Sequence, residues 1–256
     1  MKDLYFAHAN GFPSKSYQCL FDYIDADTIN YIDILGKGDI PLNDNMYNFA
    51  KEIILDIESK YNQPVIGLGH SAGAIALMLA ASERPDLFES LILMEPVLFN
   101  PLKRFAIDVI RSIGLGNSIA PVKKALSRKS HFDSLQQAEE YFSNKRFFQA
   151  FSPSCFQNYL LAAIMPSANG GVELKIAPKE EAEVFRSVHT KINHRMKQLS
   201  GLYLYGNSSE MLKKADLNWW KNNFKNFEMI SIDGSHVFPL EHPKATALII
   251  NDFLHR

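Results

Sequence analysis

Residues Val65 to Met78 read VIGLGHSAGAIALM. A short apolar run meets Gly69-His70-Ser71-Ala72-Gly73, and a helix of small residues follows, so the order is strand, sharp turn, helix. A serine at such a turn projects its hydroxyl off the end of a buried sheet, and the flanking glycines let strand and helix pack closely. The pentapeptide G-x-S-x-G alone also occurs at ordinary helix starts. Its weight here comes from the strand before it, Pro64 to Gly69, and the helix after it, Ala72 to about Ala81. Ser71 therefore reads as a nucleophile on an elbow rather than a structural turn serine.

Working outward, Met46 to Tyr61 places Met46, Phe49, Ala50, Ile53, Ile54 and Ile57 on one helical face, with Lys51, Glu52, Asp56 and Lys60 mainly toward water. Before it come a strand at Leu4 to Ala7, the loop HANGFPSKSY, and a β-branched strand at Thr28 to Leu35 that leads into the turn GKGDIPLNDN. After the elbow helix, Leu91 to Met94 is a near-continuous apolar strand ending in Glu95-Pro96. Alternating strands and helices indicate a parallel sheet with helices on both faces. From about Val97 to Arg195 helical stretches and loops carry no clear strand, which reads as a helical lid inserted into the core. The core resumes with strands Gly201 to Tyr205 and Phe227 to Ile232, a Trp219-containing helix between them, and a last helix from about Lys244 to Leu254. The expected division is 1–96 and 196–256 for the α/β core and 97–195 for the lid.

Composition excludes several classes. With 256 residues, 46% of them hydrophobic, the chain is long enough for one large domain and is not disordered. A formal net charge of −1 without a Lys/Arg block argues against nucleic acid as a partner. No stretch reaches the roughly 18 to 20 apolar residues of a membrane span. The N-terminus enters a strand at once rather than an apolar leader, so a cytoplasmic location is expected. The cysteines Cys19 and Cys155 form no metal-ligand spacing and read as small buried thiols, without a disulfide framework. Neither a metal nor a cofactor is expected.

A serine hydroxyl becomes a good nucleophile when a histidine takes its proton and a carboxylate fixes that histidine's tautomer. With an elbow of this kind the chain order is nucleophile, acid, histidine. His236, in DGSHVFPLEHP just after the last strand, fits the base. His8 and His70 stand beside glycine-rich turns and are read as holding loops by hydrogen bonds. Two carboxylates compete for the acid. Glu95 ends an apolar strand, where a charge needs a partner, and ranks first; Glu210, in the loop after Gly206, is the alternative. For the oxyanion, the backbone N-H of Ala72 lies at a helix start. The second donor is placed in HANGFP, with Asn10 favoured over Gly11 and Phe12.

These motifs resemble the α/β-hydrolase superfamily, and within it a bacterial group that carries HANGFP, GHSxG, LxEPV and GxHxxPLExP. The matching stretches are His8 to Pro13, Gly69 to Gly73, Leu93 to Val97 and Gly234 to Pro243. Inside the lid, Gly171 to Phe185 is similar to the group's Val-x-Leu, Pro and Glu-Ala pattern. The resemblance implies an α/β-hydrolase fold with a mostly parallel sheet of about six strands, and hydrolysis. The third residue after Gly206, where many such enzymes hold an aspartate, is Ser209, a departure that the Glu95-Pro96 pair accommodates.

The lid is rich in aromatic residues. Phe105, Phe147, Phe148 and Phe151, with Phe12 and Val237 from the core, are candidates for an apolar pocket above Ser71; the lid phenylalanines equally fit the lid's own core. Leu102 to Ile113 has an apolar face suited to a lid helix closing on an acyl chain. The expected function is a serine hydrolase, a carboxylesterase acting on small to medium apolar esters. The same triad acting on a carbon-carbon bond, thioester or lactone is one alternative, and a non-catalytic ligand-binding protein on a hydrolase scaffold is another. The partner is a small-molecule substrate; the sequence leaves the oligomeric state open.

Overall fold

A computed structural model describes residues 2–38 and 46–256; part of the GKGDIPLNDN turn lies outside them. The first part of the chain runs β1 (Asp3–Ala7), α1 (Gln18–Phe21), β2 (Thr28–Tyr31), α2 (Tyr47–Lys60), β3 (Val65–His70), α3 (Ala72–Glu83) and β4 (Phe88–Met94). An inserted segment follows with α4 (Pro101–Ser112), α5 (Ala120–Leu126), β5 (His131–Phe132), α6 (Leu135–Ser143), α7 (Arg146–Gln149), α8 (Pro153–Ala163), β6 (Ile164–Pro166), β7 (Val172–Leu174) and α9 (Pro178–Arg186). The chain returns to the core with β8 (Gly201–Gly206), α10 (Lys214–Asn223), β9 (Phe227–Ile232), α11 (Phe238–Glu241) and α12 (Pro243–Leu254).

The main sheet has six strands in the order β2-β1-β3-β4-β8-β9, all pairs parallel. Strand order reverses between β1 and β3, and open α/β sheets bind ligands outside the carboxyl ends of the strands at such a point. The loop after β1 and the elbow after β3 meet there. Each central strand feeds two cores by alternation: Phe6, Leu68, Ile92, Met94 and Leu204 pack on one face, Tyr5, Ala7, Leu91, Leu93 and Tyr203 on the other. Both faces being covered, β3 reads as the uninterrupted apolar run expected of a buried parallel strand.

α3 is buried nearly all round, which its small residues permit. A Cβ at Gly73 would lie 2.2 Å from the Ala7 carbonyl oxygen, so only glycine lets α3 approach β1 this closely. On α2 the apolar face is buried as its spacing predicts, while Glu52, expected outward, is buried and accepts the Gly36 amide at 2.8 Å.

The insert differs from the sequence expectation of helices and loops alone. It carries a three-stranded antiparallel sheet, β5-β7-β6. These strands are two or three residues long, too short to show a period of two. A second correction concerns the cysteines: Cys19 of α1 and Cys155 of α8 form a disulfide between core and insert, with Cα atoms 5.3 Å apart. Disulfides persist in oxidising compartments and are rare in a reducing cytosol, so this bridge weighs against the cytoplasmic expectation. Among the described residues no helix is long and apolar enough to cross a membrane.

Candidate active site

Ser71 sits between β3 and α3 with φ 55° and ψ −115°, and its amide donates to the Met94 carbonyl at 2.9 Å. Holding a non-glycine residue in such a region costs on the order of 1–3 kcal/mol and persists only where the surroundings over-determine it. Glu95 is strained in the same sense, at φ 45°, with its amide on the Leu204 carbonyl at 2.8 Å. Both strained residues follow central strands and face the same end of the sheet.

His236, in the turn between β9 and α11, brings its Nε2 to 2.9 Å from Ser71 Oγ. Its Nδ1 lies 3.4 Å from Glu95 Oε2, within ion-pair reach but without hydrogen-bond geometry. Glu95 is 1% exposed, and its Oε2 also accepts the Gly206 amide at 3.4 Å. The structure thus brings together Ser71, His236 and Glu95, while Glu210 is exposed on its loop. The loop after Gly206 braces the histidine loop: Asn207 Oδ1 accepts the Gly234 amide at 3.3 Å. Glu241 completes the bracing by accepting the Ser235 amide at 2.7 Å and its hydroxyl at 2.6 Å.

Behind the site runs a buried chain of hydrogen bonds. A carbonyl only accepts, so His70 Nε2 carries the proton that it donates to the His236 main-chain oxygen at 2.9 Å. His70 Nδ1 therefore accepts from the Tyr17 hydroxyl at 2.7 Å, and that hydroxyl accepts the Ala9 amide at 3.4 Å. Burial, then the neighbouring His236, pushes the His70 pKa down to about 3, so the ring stays neutral. His8 is likewise lowered by burial; its Nδ1-H donates to the Ala9 carbonyl at 2.8 Å and its Nε2 accepts the Leu35 amide at 2.8 Å. Both histidines hold loops.

The two backbone amides expected to serve the oxyanion lie on either side of the strand-order reversal. Ala72 begins α3, and Asn10 lies in the turn after β1. The Phe12 amide donates to the Ala9 carbonyl at 3.1 Å, which removes Phe12 as a donor. Among the described residues the Asn10, Gly11 and Ala72 amides have no protein acceptor, so Gly11 stays beside Asn10 as a candidate. The Asn10 side chain turns away, donating to the Glu181 carbonyl of the insert at 2.9 Å.

The aromatic candidates separate into groups. Phe148 and Phe151 are buried with Phe142 and Tyr159 in a cluster continuous with the core on one face of the main sheet. Phe12 joins them from the core, its ring 6.1 Å from Phe147, 6.1 Å from Phe151 and 5.3 Å from Tyr159. Phe147 is half-exposed, and Val237 is buried beside the histidine. Phe105 does not belong to an enclosed pocket: it is 68% exposed on α4, whose half-buried positions are Lys103, Arg104, Ile107, Ile110 and Arg111. Arg104 donates to Thr190 O at 2.7 Å and Asp108 accepts the Thr190 hydroxyl at 2.7 Å, polar contacts that hold the helix with Phe105 outward. A cleft of about 480 Å³, lined by Tyr23, Ser152, His242, Lys244 and Leu248, lies between α8 and α12 rather than over Ser71.

Sequence reasoning missed Tyr17, Glu241, Arg128 and Glu181. Glu241 lay inside the PLExP motif, which was a usable signal; the other three show their partners only in three dimensions.

A parallel sheet of this order, with an elbow serine after β3, a histidine after the last strand and a carboxylate between them in sequence, is the α/β-hydrolase fold. No protein-family model and no curated protein matches the chain. Solved structures do. Over 100% of this chain and 91% of the other, the fold is similar to that of E-2-(acetamidomethylene)succinate hydrolase, at 20% identity and a TM-score of 0.79. It is also similar to the thioesterase domain of the curacin biosynthetic pathway (19% identity, 97% of this chain and 90% of that one, TM-score 0.71). An esterase from a marine microorganism gives 19% identity over 98% of this chain and 95% of its own, with a TM-score of 0.65.

Proposed function

We propose that the chain is a serine hydrolase, a carboxylesterase acting on small to medium apolar esters. The observation that carries this reading is the line Ser71 Oγ to His236 Nε2 at 2.9 Å with the buried Glu95 carboxylate 3.4 Å behind Nδ1. As Ser71 Oγ bonds to the ester carbonyl carbon, its proton passes to His236 Nε2 and the carbonyl electron pair moves onto oxygen. The Asn10 and Ala72 amides hold that oxyanion, and Glu95 steadies the imidazolium. Collapse expels the alkoxide, which leaves as an alcohol with the proton from Nε2. Water then attacks the acyl-serine, with His236 as its base, and releases the acid and Ser71. Orientation of the imidazole by Glu95 needs no cofactor in this sequence of steps. Phe12 and the buried Val237, on the loops either side of Ser71, support an apolar acyl or alcohol group.

The test is intact-mass analysis after incubation with a small fluorophosphonate, alongside turnover of p-nitrophenyl acetate and butyrate. One adduct on the wild type, absent in Ser71→Ala, with matching loss of turnover, is the expected result. Neither adduct nor turnover on the folded wild type would reject the hydrolase in favour of a binding protein on the same scaffold.

A further inference from the structure

Three consecutive residues of the loop after β1 are each held by the insert. Asn10 donates its side-chain amide to the Glu181 carbonyl at 2.9 Å. Gly11 lies under the ion pair of Arg128 and Glu181: a Cβ built on it would stand 3.3 Å from Arg128 Nη1 and 3.3 Å from Glu181 Oε1. Phe12 packs its ring 5.3 Å from that of Tyr159. The three holders are themselves joined. Arg128 Nη1 donates to Glu181 Oε2 at 2.7 Å, and Nη2 donates to the Tyr159 hydroxyl. The guanidinium also lies over the Phe142 ring, 5.7 Å from its centre. The side chains of Arg128 and Glu181 are 17% and 12% exposed. Burial opposes the Arg128 charge, and Tyr159 and Glu181 more than offset it. A buried ion pair of this kind is weak evidence for stability and better evidence for a fixed arrangement.

We infer that Arg128, Glu181 and Tyr159 are positioning residues that set the oxyanion loop, so that the insert is part of the catalytic apparatus rather than only a cover. This rests on the serine hydrolase reading. The Asn10 amide has to point at charge that exists only in the transition state and tetrahedral intermediate. The core fixes the loop on either side of Asn10, through the Ala9 amide on the Tyr17 hydroxyl and the Phe12 amide on the Ala9 carbonyl. The Asn10 side chain instead finds its partner in the insert, and Gly11, at φ 81°, lies against Arg128 and Glu181. Arg128 follows α5 and Glu181 stands on α9, so α5 and α9 together hold Asn10 and Gly11, while Phe12 rests on Tyr159 of α8.

The experiment compares wild type, Arg128→Met, Arg128→Lys and Asn10→Ala. Steady-state turnover of p-nitrophenyl butyrate is normalised to fluorophosphonate-titrated Ser71, inhibition by an alkyl trifluoromethyl ketone is measured, and melting temperature is recorded. A ketone of this type places its oxygen as an oxyanion on Ser71. Arg128→Met is expected to lower kcat about 10- to 100-fold, with KM within about threefold, and to weaken the ketone by the same factor. This is less than the about 10²- to 10³-fold that outright loss of an oxyanion donor costs, because the donor is displaced rather than removed. Arg128→Lys recovers part of both, because the charge returns without the two-pronged geometry. Asn10→Ala keeps the main-chain N-H and removes only the tether, so it shows the same kcat-selective loss and stands in if Arg128→Met does not fold. Unchanged kcat and ketone affinity per titrated site in folded Arg128→Met or Asn10→Ala, even with a lower melting temperature, would overturn the inference. A wild type without turnover or adduct overturns both this inference and the function on which it rests.

Discussion

His70 Nε2 donates to the main-chain oxygen of His236 at 2.9 Å, so the last residue of the elbow strand holds the loop that presents the histidine to Ser71. The bond requires a neutral, Nε2-protonated ring, since Nδ1 must accept from Tyr17 at 2.7 Å. This gives the fold an acid sensitivity at a known place. In the unfolded chain His70 takes up a proton below about pH 6.5, whereas burial holds it neutral in the folded chain down to about pH 3. Between those values the unfolded state binds more protons, so stability is full above pH 6.5 and falls as the pH drops through the window. His8, also lowered by burial, adds to the same slope. Urea unfolding from pH 7.5 to 4 should show this fall, and His70→Gln should flatten it by up to one proton while lowering stability at pH 7.5. A slope unchanged in His70→Gln would mean that other groups carry the acid sensitivity.

Glu95 and Glu210 are separated by the structure, and kinetics should separate them too. Glu95 is buried 3.4 Å from His236 Nδ1; Glu210 is exposed. Loss of the carboxylate leaves the imidazole free to take the wrong tautomer, an effect worth about 10⁴ in kcat in a serine protease triad. Glu95→Gln is therefore expected to cut kcat by 10³ or more, on the order of that effect, with fluorophosphonate labelling slowed in parallel. Glu210→Gln should remain within about twofold of wild type. The reverse ranking would return the acid to the loop after Gly206.

Much of this was legible in the sequence, for identifiable reasons. β3 and α3 are buried on all sides, so nearly every residue there is constrained, and Ser71 stands out at their junction. Glu95 was visible because a carboxylate at the end of an apolar strand is costly without a partner. What was hidden depends on partners distant in the chain: Cys19 and Cys155 are 136 residues apart, and Asn10 and Glu181 are 171 apart. The orientation of α4 was hidden for another reason. Its spacing correctly marked an amphipathic helix, but spacing cannot say that Phe105 stays outward while Arg111 and Arg104 reach main-chain acceptors at Val188 and Thr190.

The Cys19–Cys155 bridge joins α1, one turn from Tyr17, to α8, which carries Tyr159. Closing a loop of this length removes entropy from the unfolded chain worth about 5 kcal/mol in the chain-entropy model, and measured losses on removing native disulfides run about 2–5 kcal/mol. Reduction with dithiothreitol, or Cys19→Ser with Cys155→Ser, is expected to lower the urea-unfolding free energy by about 2–5 kcal/mol. Both cysteines are buried, so reduction of the native protein should be slow. If the double variant matches the wild type in oxidising and reducing buffer alike, the bridge contributes nothing to stability.

Phe105 gives the opposite kind of prediction. A phenylalanine near the middle of a helix with a strong apolar face would ordinarily be buried, and its loss would cost about 3–5 kcal/mol. Here the helix is anchored by Arg104, Asp108 and Arg111 on its other face, and Phe105 is 68% exposed with Leu102 at 77% and Ile113 at 61%. Little apolar area leaves water when Phe105 folds into place, so Phe105→Ser should change unfolding free energy by no more than about 0.5 kcal/mol. KM for p-nitrophenyl acetate should also stay within about twofold, because the side chain lines no enclosed site. Arg104→Met is the contrasting change. It removes hydrogen bonds to the Phe99 and Thr190 carbonyls and the stacking over Trp219, and leaves partly buried acceptors unpaired. A cost of about 1–3 kcal/mol is expected for that variant. If thermal and urea unfolding instead show Phe105→Ser as the costlier of the two, the apolar face of α4 is covered in solution.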